Sequence, residues 1–260
     1  MVEYSILVPI YNEQDAVKDT LERCKKVAKE LGECEIIAIN DGSKDNTASV
    51  LKTIKGIRKI THPYNLGYGA SLKDGLRASK GKWIIITDSD GTYPIEDALR
   101  LAKYAGEYDM VVGARTGKEV HIPLLRRPAK WIIGKLANFL AGRKIVDINS
   151  GLRIFDREKA TEFIKLYPSG FSFTTTITLA FFTNDYTVKY IPINYYKRKG
   201  KSTIHPIKDF IGFIALIFRI IIYFKPLKFF IIPSLALILF GIAWGVKQAL
   251  SSPAGLGQLP

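Results

Sequence analysis

Cysteine and histidine, the side chains that most often bind zinc, are scarce in this chain of 260 residues, which has two of the first and three of the second. Cys24 and Cys34 have neither the spacing of a zinc site nor that of a disulfide framework, so a reducing compartment is the simplest inference. His62, His121 and His205 are scattered singly along the chain. We therefore expect packing or surface roles for all five residues.

Acidic side chains are also few, with 24 Asp and Glu against 38 Lys and Arg, and the formal net charge is +14. A basic chain of this kind suggests a nucleic-acid binder, but the basic residues form no continuous arm or recognition helix. They cluster instead in residues 115–144 and 189–201, and others flank a very apolar stretch from residue 210. This placement favours the anionic face of a membrane. Alternatively, a lysine-rich surface of the kind found in heat-stable proteins would explain part of the positive charge.

What the sequence does contain is an apolar, β-branched run that ends at two carboxylates. Trp83–Thr87 predicts a buried strand, and Asp88 and Asp90 follow it. Ligands of open α/β sheets bind outside the carboxyl ends of the strands. Alternate residues of an extended segment point the same way, so both carboxylates can reach one divalent cation that also binds substrate phosphates. A solvated acidic turn is the alternative for this pair taken alone.

Two further strand ends favour a ligand site. Tyr4–Pro9 is an apolar strand followed by Ile10–Glu13, and Glu35–Ile39 is another followed by Asn40–Ser43. Three strands that end in acidic or amide side chains predict a shared site along one edge of a parallel sheet.

Helical patterns alternate with these strands. They cover residues 14–31, 45–54, 71–79 and 95–105, and further strands are expected near 57–60 and 110–112. This order predicts an α/β fold with a mostly parallel sheet and helices on both faces.

Six motifs give the chain a family resemblance. They are Pro9–Glu13, Asn40–Ser43 with Asp45 and Thr47, Asn65–Ala70, Asp88–Gly91, Gly113–Arg115 and Asp147–Arg153. Because these motifs occur in the family's order, the chain resembles the large inverting family 2 of nucleotide-sugar glycosyltransferases. This family contains the dolichyl-phosphate mannose and glucose synthases. The resemblance spans residues 1 to about 205 and implies the Rossmann-like GT-A fold.

The resemblance also implies a nucleotide-sugar site with a divalent cation, Mg²⁺ or Mn²⁺. Asp90 would be the principal metal ligand, and Asp88 would contribute to the metal or the ribose. Asp41 would hydrogen-bond the base, while Asn40 stands where the family usually has the first Asp of a pair. The remaining residues of the implied nucleotide-sugar site are Pro9, Tyr11, Asn12, Glu13, Gly67 and Ser89.

The implied acceptor is a polyprenyl phosphate, such as dolichyl or undecaprenyl phosphate. Its phosphate monoester has a second pKa of about 6, so this nucleophile needs positioning by cations more than deprotonation. The residues that the resemblance assigns to the phosphates are Arg115, Arg126, Arg127, Arg198, Lys199 and Ser202. Arg115, Arg126 and Lys199 join Asp90 as the implied catalytic residues. Arg127 is an alternative to Arg126, and Arg198 is an alternative to Lys199, where relatives often have Arg.

The second part of the chain predicts membrane attachment. We divide the chain into a catalytic domain at residues 1–205, an interfacial helix at 206–226, a transmembrane helix at 229–247 and a tail at 248–260. A basic amphipathic helix at about 124–142 is a second interfacial candidate, with a core-packing helix as its alternative. Met1–Tyr4 leads directly into the first strand, so no signal peptide is expected. The excess of Lys and Arg before the span, against Lys247 after it, predicts a catalytic domain that faces the cytoplasm from the cell membrane or an ER-type membrane.

The function predicted by these features is inverting, metal-dependent transfer of a hexose from a nucleotide sugar to a polyprenyl phosphate. Gly91–Thr92 is closer to glucose-type than to mannose-type relatives, which favours a UDP-hexose over GDP-mannose. One alternative is a processive polysaccharide synthase, although its Gln-x-x-Arg-Trp motif is missing from the sequence. The other is a membrane protein that binds nucleotide sugars without turnover, which would not need Asp88 and Asp90.

Overall fold

The structure is a computed structural model that describes residues 2–119, 138, 142–170, 172–197, 222 and 226–251. Two predicted segments fall almost wholly outside these residues: the amphipathic helix at about 124–142 and the interfacial helix at 206–226.

A seven-stranded sheet organises the described part of the chain. Its strands are β1 (Tyr4–Ile10), β2 (Cys34–Asn40), β3 (Arg58–Thr61), β4 (Trp83–Ile86), β5 (Met110–Ala114), β6 (Arg153–Asp156) and β7 (Val188–Pro192). Their order in the sheet is β3-β2-β1-β4-β6-β5-β7. All neighbours are parallel except β6, which is antiparallel to both β4 and β5. The predicted mostly parallel sheet is confirmed.

Helices connect the strands and cover both faces of the sheet. They are α1 (Val17–Leu31), α2 (Thr47–Thr53), α3 (Tyr68–Ala78), α4 (Ala98–Ala102) after a 3₁₀ turn at Ile95–Asp97, α5 (Arg157–Glu162) and α6 (Phe173–Thr183). The four helical patterns of the first half are confirmed, although α1 begins three residues later than its pattern and α4 is shorter. The sequence did not predict β6, β7, α5 or α6.

The alternation of side chains along each strand divides the core into two layers. In β1, Ile6 and Val8 pack on the layer that contains α1, whereas Leu7 packs on the layer that contains α3 and α6. Burial on both faces explains why the central strands are continuous apolar runs. It also leaves the strand ends as the place where polar side chains collect.

A long apolar helix, α7 (Pro226–Ser251), ends the described residues. Its stretch Pro233–Leu250 is long and apolar enough to cross a membrane, by length and composition alone. The described side chains of this stretch are exposed apart from a half-buried Ala249, so the described parts of the domain do not cover it. The predicted apolar helix at 229–247 is present and extends beyond both predicted ends.

Candidate active site

Asp90 is fixed in a tight turn just beyond the carboxyl end of β4. Its Oδ1 accepts hydrogen bonds from the backbone N–H and the hydroxyl of Thr92, at 3.0 Å and 2.6 Å. Gly91 between them has a φ of +73°, a conformation that glycine adopts without steric cost. Asp90 is 6% exposed. The turn therefore holds one carboxylate of the predicted metal pair in a defined direction.

Asp88 is held by a partly buried tyrosine and by the close approach of a glycine. The Tyr68 hydroxyl, at the start of α3, donates to Oδ1 of Asp88 at 3.0 Å. Burial raises the pKa of the Tyr68 phenol well above its usual value, so this hydroxyl remains a donor. A Cβ on Gly151 would lie 2.8 Å from Oδ2 of Asp88 and 2.9 Å from Oδ1, so a larger residue there would displace this carboxylate.

The loops after β1 and β2 are joined by hydrogen bonds. The Asn12 side-chain oxygen accepts from the Lys44 backbone N–H at 2.8 Å, and the Asn12 backbone N–H donates to the Ser43 hydroxyl at 3.0 Å. Asn12 has a φ of +54°, which asparagine tolerates better than most residues. The Glu13 backbone N–H donates to the Thr47 hydroxyl at 2.9 Å. These bonds bring together two of the three predicted strand ends.

Asp41 is buried at the end of β2 and anchors the loop before α3. Its Oδ1 accepts from the Leu66 backbone N–H and its Oδ2 from the Gly67 backbone N–H, both at 2.8 Å. The ring nitrogen Nδ1 of His62 lies 2.8 Å from Oδ1. Gly67 has a φ of +103°, and a Cβ there would lie 2.4 Å from the Ser169 carbonyl oxygen. The predicted site residues Asp41 and Gly67 are thus in direct contact.

Ser89 joins the second pair of strand ends. Its hydroxyl donates to the Pro9 carbonyl oxygen at 3.0 Å, and its own carbonyl oxygen accepts from the Thr20 hydroxyl at 3.1 Å. Both bonds are buried, so Ser89 ties the end of β1 to the turn that carries Asp88 and Asp90. Tyr11, in the loop after β1, is partly exposed.

Arg115 follows β5 and forms a bidentate ion pair with Asp147. Its Nε and Nη2 each lie 2.8 Å from a carboxylate oxygen, and its backbone N–H donates to the same carboxylate at 3.0 Å. The guanidinium lies 5.2 Å from the ring centroid of Tyr195, which packs edge-on against Tyr93 at 5.1 Å. The Tyr93 hydroxyl accepts from the Gly151 backbone N–H at 2.7 Å. Arg115 and Asp88 therefore belong to one connected cluster of side chains.

Arg153 was only a motif position in the sequence, but the structure gives it a central role. Among the described residues it is the largest fully buried side chain, and it lies on β6, an inner strand of the sheet. Its guanidinium donates to the carbonyl oxygens of Ser150 and Thr174, and to the Thr178 hydroxyl at 2.8 Å. It thereby joins the turn before Gly151 to α6. No sequence pattern predicts this, because backbone carbonyls carry no sequence signal and the acceptors on α6 lie more than 20 residues away.

The donor set at the end of β4 fits magnesium or manganese. Among the described residues, no cluster of three or more His, Cys, Asp and Glu side chains could enclose a metal. Magnesium usually binds one or two protein carboxylates together with substrate phosphates and waters. Asp88 and Asp90 supply two such carboxylates, one residue apart. The site therefore suits a cation that arrives with a phosphate ligand.

Five predicted acceptor-site residues lie outside the described residues. They are Arg126, Arg127, Arg198, Lys199 and Ser202. Arg115 is the only cation predicted to contact phosphate that lies among the residues the structure describes.

Comparisons with known proteins agree with this fold. The family model described as glycosyl transferase family 2 matches residues 5–163. The dolichyl-phosphate hexose transferase of Haloferax volcanii is 28% identical over 213 residues, which cover 79% of this chain and 90% of that protein. The bactoprenol glucosyl transferase of Shigella phage SfX is 33% identical over 174 residues, which cover 64% of this chain and 56% of that protein. The chain spans about half the length of other curated relatives, at 50%, 52% and 48%.

A solved structure shows the same fold. Glucosyl-3-phosphoglycerate synthase from Mycobacterium tuberculosis, in complex with Mn²⁺, UDP-glucose and phosphoglyceric acid, has a TM-score of 0.66 at 17% identity. The likeness covers 84% of this chain and 79% of that one. At this identity it establishes the GT-A architecture and leaves the chemistry to the residues of the site.

Proposed function

This chain belongs to glycosyl transferase family 2, and on that premise we propose that it transfers one hexose from a nucleotide sugar to a polyprenyl phosphate, with inversion at the anomeric carbon. The observation that carries the proposal is the pair Asp88 and Asp90 at the carboxyl end of β4, connected through Tyr93 and Gly151 to Arg115. Carboxylates for a metal and a cation for phosphate are the groups that a departing nucleoside diphosphate needs.

Asp90 and Asp88 hold Mg²⁺ or Mn²⁺ in this proposal. When bound, the cation supplies charge that stabilises the diphosphate as it leaves. Thr92 fixes the direction of Asp90, and Tyr68 and Gly151 fix that of Asp88. Both carboxylates are thereby oriented before the donor arrives, which reduces the cost of reorganisation.

The donor lies across the joined ends of β1, β2 and β4. Asp41 contacts the base, and the loops that carry Tyr11, Asn12 and Glu13 line the nucleoside pocket with Pro9, Gly67 and Ser89. The support is positional, because the hydrogen bonds of Asn12, Glu13 and Ser89 bring these loops together. The sequence around Gly91–Thr92 favours a UDP-hexose as the donor.

The acceptor phosphate attacks the anomeric carbon directly. Its oxygen forms the new C–O bond as the bond from that carbon to the nucleoside diphosphate breaks, so no proton has to be removed from an ionised phosphate. Nη1 of Arg115 has no hydrogen-bond partner in the described part of the chain, and it can donate to a phosphate while Asp147 holds the rest of the guanidinium. Arg126, Arg127, Arg198, Lys199 and Ser202 complete the phosphate contacts.

A lipid acceptor is supported by relatives and by α7. One relative is named a dolichyl-phosphate hexose transferase and another a bactoprenol glucosyl transferase. The exposed apolar stretch Pro233–Leu250 would anchor the chain in the bilayer where such a lipid resides. The excess of basic residues before this stretch supports a catalytic domain that faces the cytoplasm.

The direct test is transfer by the full-length chain in vesicles. We expect labelled hexose to enter the lipid fraction when polyprenyl phosphate, UDP-glucose and Mn²⁺ are all present. EDTA or omission of the lipid should abolish the signal. The proposed acceptor would be refuted if the hexose were transferred to water or a soluble sugar and no donor gave transfer to the lipid phosphate.

The acceptor assignment has its own test in Arg126 and Arg127. We expect Arg126→Ala to raise the KM for polyprenyl phosphate far more than the KM for the donor, because a phosphate contact is lost. Arg127→Ala, which removes the alternative phosphate contact, should have the smaller effect. Equal changes in both KM values for Arg126→Ala would remove Arg126 from the acceptor site.

A further inference from the structure

His62 is buried beside the residue proposed to bind the base. It follows β3, is 7% exposed, and its Nδ1 lies 2.8 Å from Oδ1 of Asp41. On the opposite side of the ring, Nε2 lies 3.3 Å from Oδ2 of Asp74 on α3, without hydrogen-bond geometry. The ring is therefore held between two carboxylates from different elements. The expected packing role of His62 therefore includes a hydrogen bond to Asp41.

The hydrogen bonds on Asp41 nearly exhaust its capacity as an acceptor. A carboxylate has roughly four acceptor positions, two on each oxygen. Oδ1 is occupied by His62 and by the Leu66 backbone N–H, and Oδ2 by the Gly67 backbone N–H. A carboxylate only accepts, so Nδ1 of His62 must be the donor in this contact. One position on Oδ2 remains, on a side chain that is 4% exposed.

The single acceptor position that remains on Oδ2 of Asp41 can distinguish between nucleobases. Guanine presents the N1–H and N2–H₂ groups side by side, and binds a carboxylate best when each oxygen accepts one hydrogen bond. Uracil presents one N3–H between two carbonyl oxygens. With Oδ1 filled, Asp41 satisfies uracil and leaves one guanine donor without a partner, which carries a desolvation penalty.

We propose that His62 is a positioning residue that makes Asp41 selective for a uridine nucleotide over a guanosine nucleotide. The inference rests on the proposed function, in which Asp41 faces the base of the donor. His62 acts by filling and orienting Oδ1 and does not touch the substrate. Removing its ring would let the Asp41 carboxylate turn and offer both oxygens.

The test measures nucleotide binding by the full-length chain in detergent, with Mn²⁺, by titration calorimetry. We expect the wild type to bind UDP at least about tenfold more tightly than GDP, the factor that one unmatched hydrogen-bond donor produces. His62→Leu should weaken UDP binding by about tenfold and bring the UDP-to-GDP ratio close to one. His62→Gln, which keeps an N–H donor, should recover most of the preference.

Kinetics separate positioning from a general loss of structure. His62→Leu should raise the KM for the uridine donor and leave kcat within about twofold, since the effect lies in ground-state binding. Wild-type protein that binds GDP as tightly as UDP would overturn the inference without any variant. So would an unchanged UDP-to-GDP ratio in a folded His62→Leu protein. Loss of lipid transfer with the nucleotide preference intact would refute the proposed function and leave this inference standing.

Discussion

At the scale of single residues, the site depends on side chains whose direction is set by their neighbours. Asp90 is held by Thr92, Asp88 by Tyr68, and Asp41 by His62 with two backbone N–H groups. The sequence predicted the three carboxylates, because acidic residues directly after apolar strands indicate a ligand edge. It could not predict their partners, which are residues 20 to 26 positions away in the chain or belong to a turn of defined conformation.

Replacing Asp90 tests the metal site. We expect Asp90→Ala to lower hexose transfer by about 10²-fold or more, because the principal metal carboxylate is lost. Asp90→Asn, which can still accept from Thr92, should be nearly as inactive and should unfold closer to the wild-type temperature. Initial rates at several Mn²⁺ concentrations and thermal unfolding check this. Near-normal turnover in either variant would refute the metal role.

Gly151 tests whether the close approach to Asp88 matters. In Gly151→Ala the new Cβ meets both carboxylate oxygens at under 3 Å and the edge of Tyr93 at 2.9 Å. We expect the Asp88 carboxylate to be displaced, so that the Mn²⁺ concentration needed for half-maximal transfer rises by about tenfold, with an overpacking cost of about 1–3 kcal/mol in the free energy of unfolding. Gly170→Ala is the matched control, because a Cβ there has nothing within 4 Å. Equal effects of the two variants would show that Gly151 has no special relation to the metal.

At the scale of elements, the sequence predicted some parts well and others not at all. β1 to β5 were predicted because their apolar runs are bounded by turn formers. β6 has only Ile154 and Phe155 between charged residues, and β7 is largely half-exposed, so neither has a recognisable strand pattern. Both exist because of pairing: β6 fits between β4 and β5, and the buried Arg153 secures it to α6. Such long-range pairing is invisible to local periodicity.

An ion pair between elements gives a pH-dependent prediction. Arg23 on α1 makes a bidentate contact with Glu96 in the 3₁₀ turn, at 2.7 Å and 2.6 Å. These hydrogen bonds hold the pKa of the Glu96 carboxyl below its usual value. The folded state therefore gains stability above the ordinary glutamate pKa of about 4.3, and this gain is lost as the pH falls through the lower, folded-state pKa.

Glu96→Gln should consequently destabilise the protein at pH 7 and lose its effect in acid. Because Glu96 is 53% exposed, we expect less than about 1 kcal/mol, measured by urea unfolding at pH 7 and again below pH 4. Glu30→Gln on the same helix is the control, since Glu30 makes no ion pair with any residue that the structure describes. A Glu96→Gln effect of the same size at both pH values would contradict the ion-pair explanation.

At the scale of the whole molecule, a basic GT-A domain is followed by a helix whose apolar surface nothing in the described domain covers. The sequence predicted this organisation because an uncharged stretch of this length is rare outside membranes. The fold class and family were readable from six ordered motifs. The domain limits at residues 205 and 229 remain predictions, since the described residues leave a gap there.

Truncation tests the role of α7. We expect the full-length chain to resist alkaline extraction from membranes, because an apolar helix of 26 residues is about 39 Å long and can cross the hydrocarbon core. A chain that ends at Lys225 should be released, even if basic and interfacial segments still bind anionic vesicles at neutral pH. Release of the full-length chain by the same treatment would show that α7 does not span the bilayer.

The reversed direction of β6 has a consequence for how this enzyme can diversify. β5 leaves the sheet at Ala114, and β6 re-enters it at Arg153 on the same rim, because the two run in opposite directions. The cassette of residues 115–152 therefore begins and ends on the same rim of the sheet. Such a cassette can differ in length and sequence between relatives without a change in the order or direction of the strands. The requirement is that Arg115 and the turn before Gly151 keep their positions. Under the proposed function, in which Arg126 contacts the acceptor phosphate, such a replacement would change the acceptor site and leave the donor half unchanged.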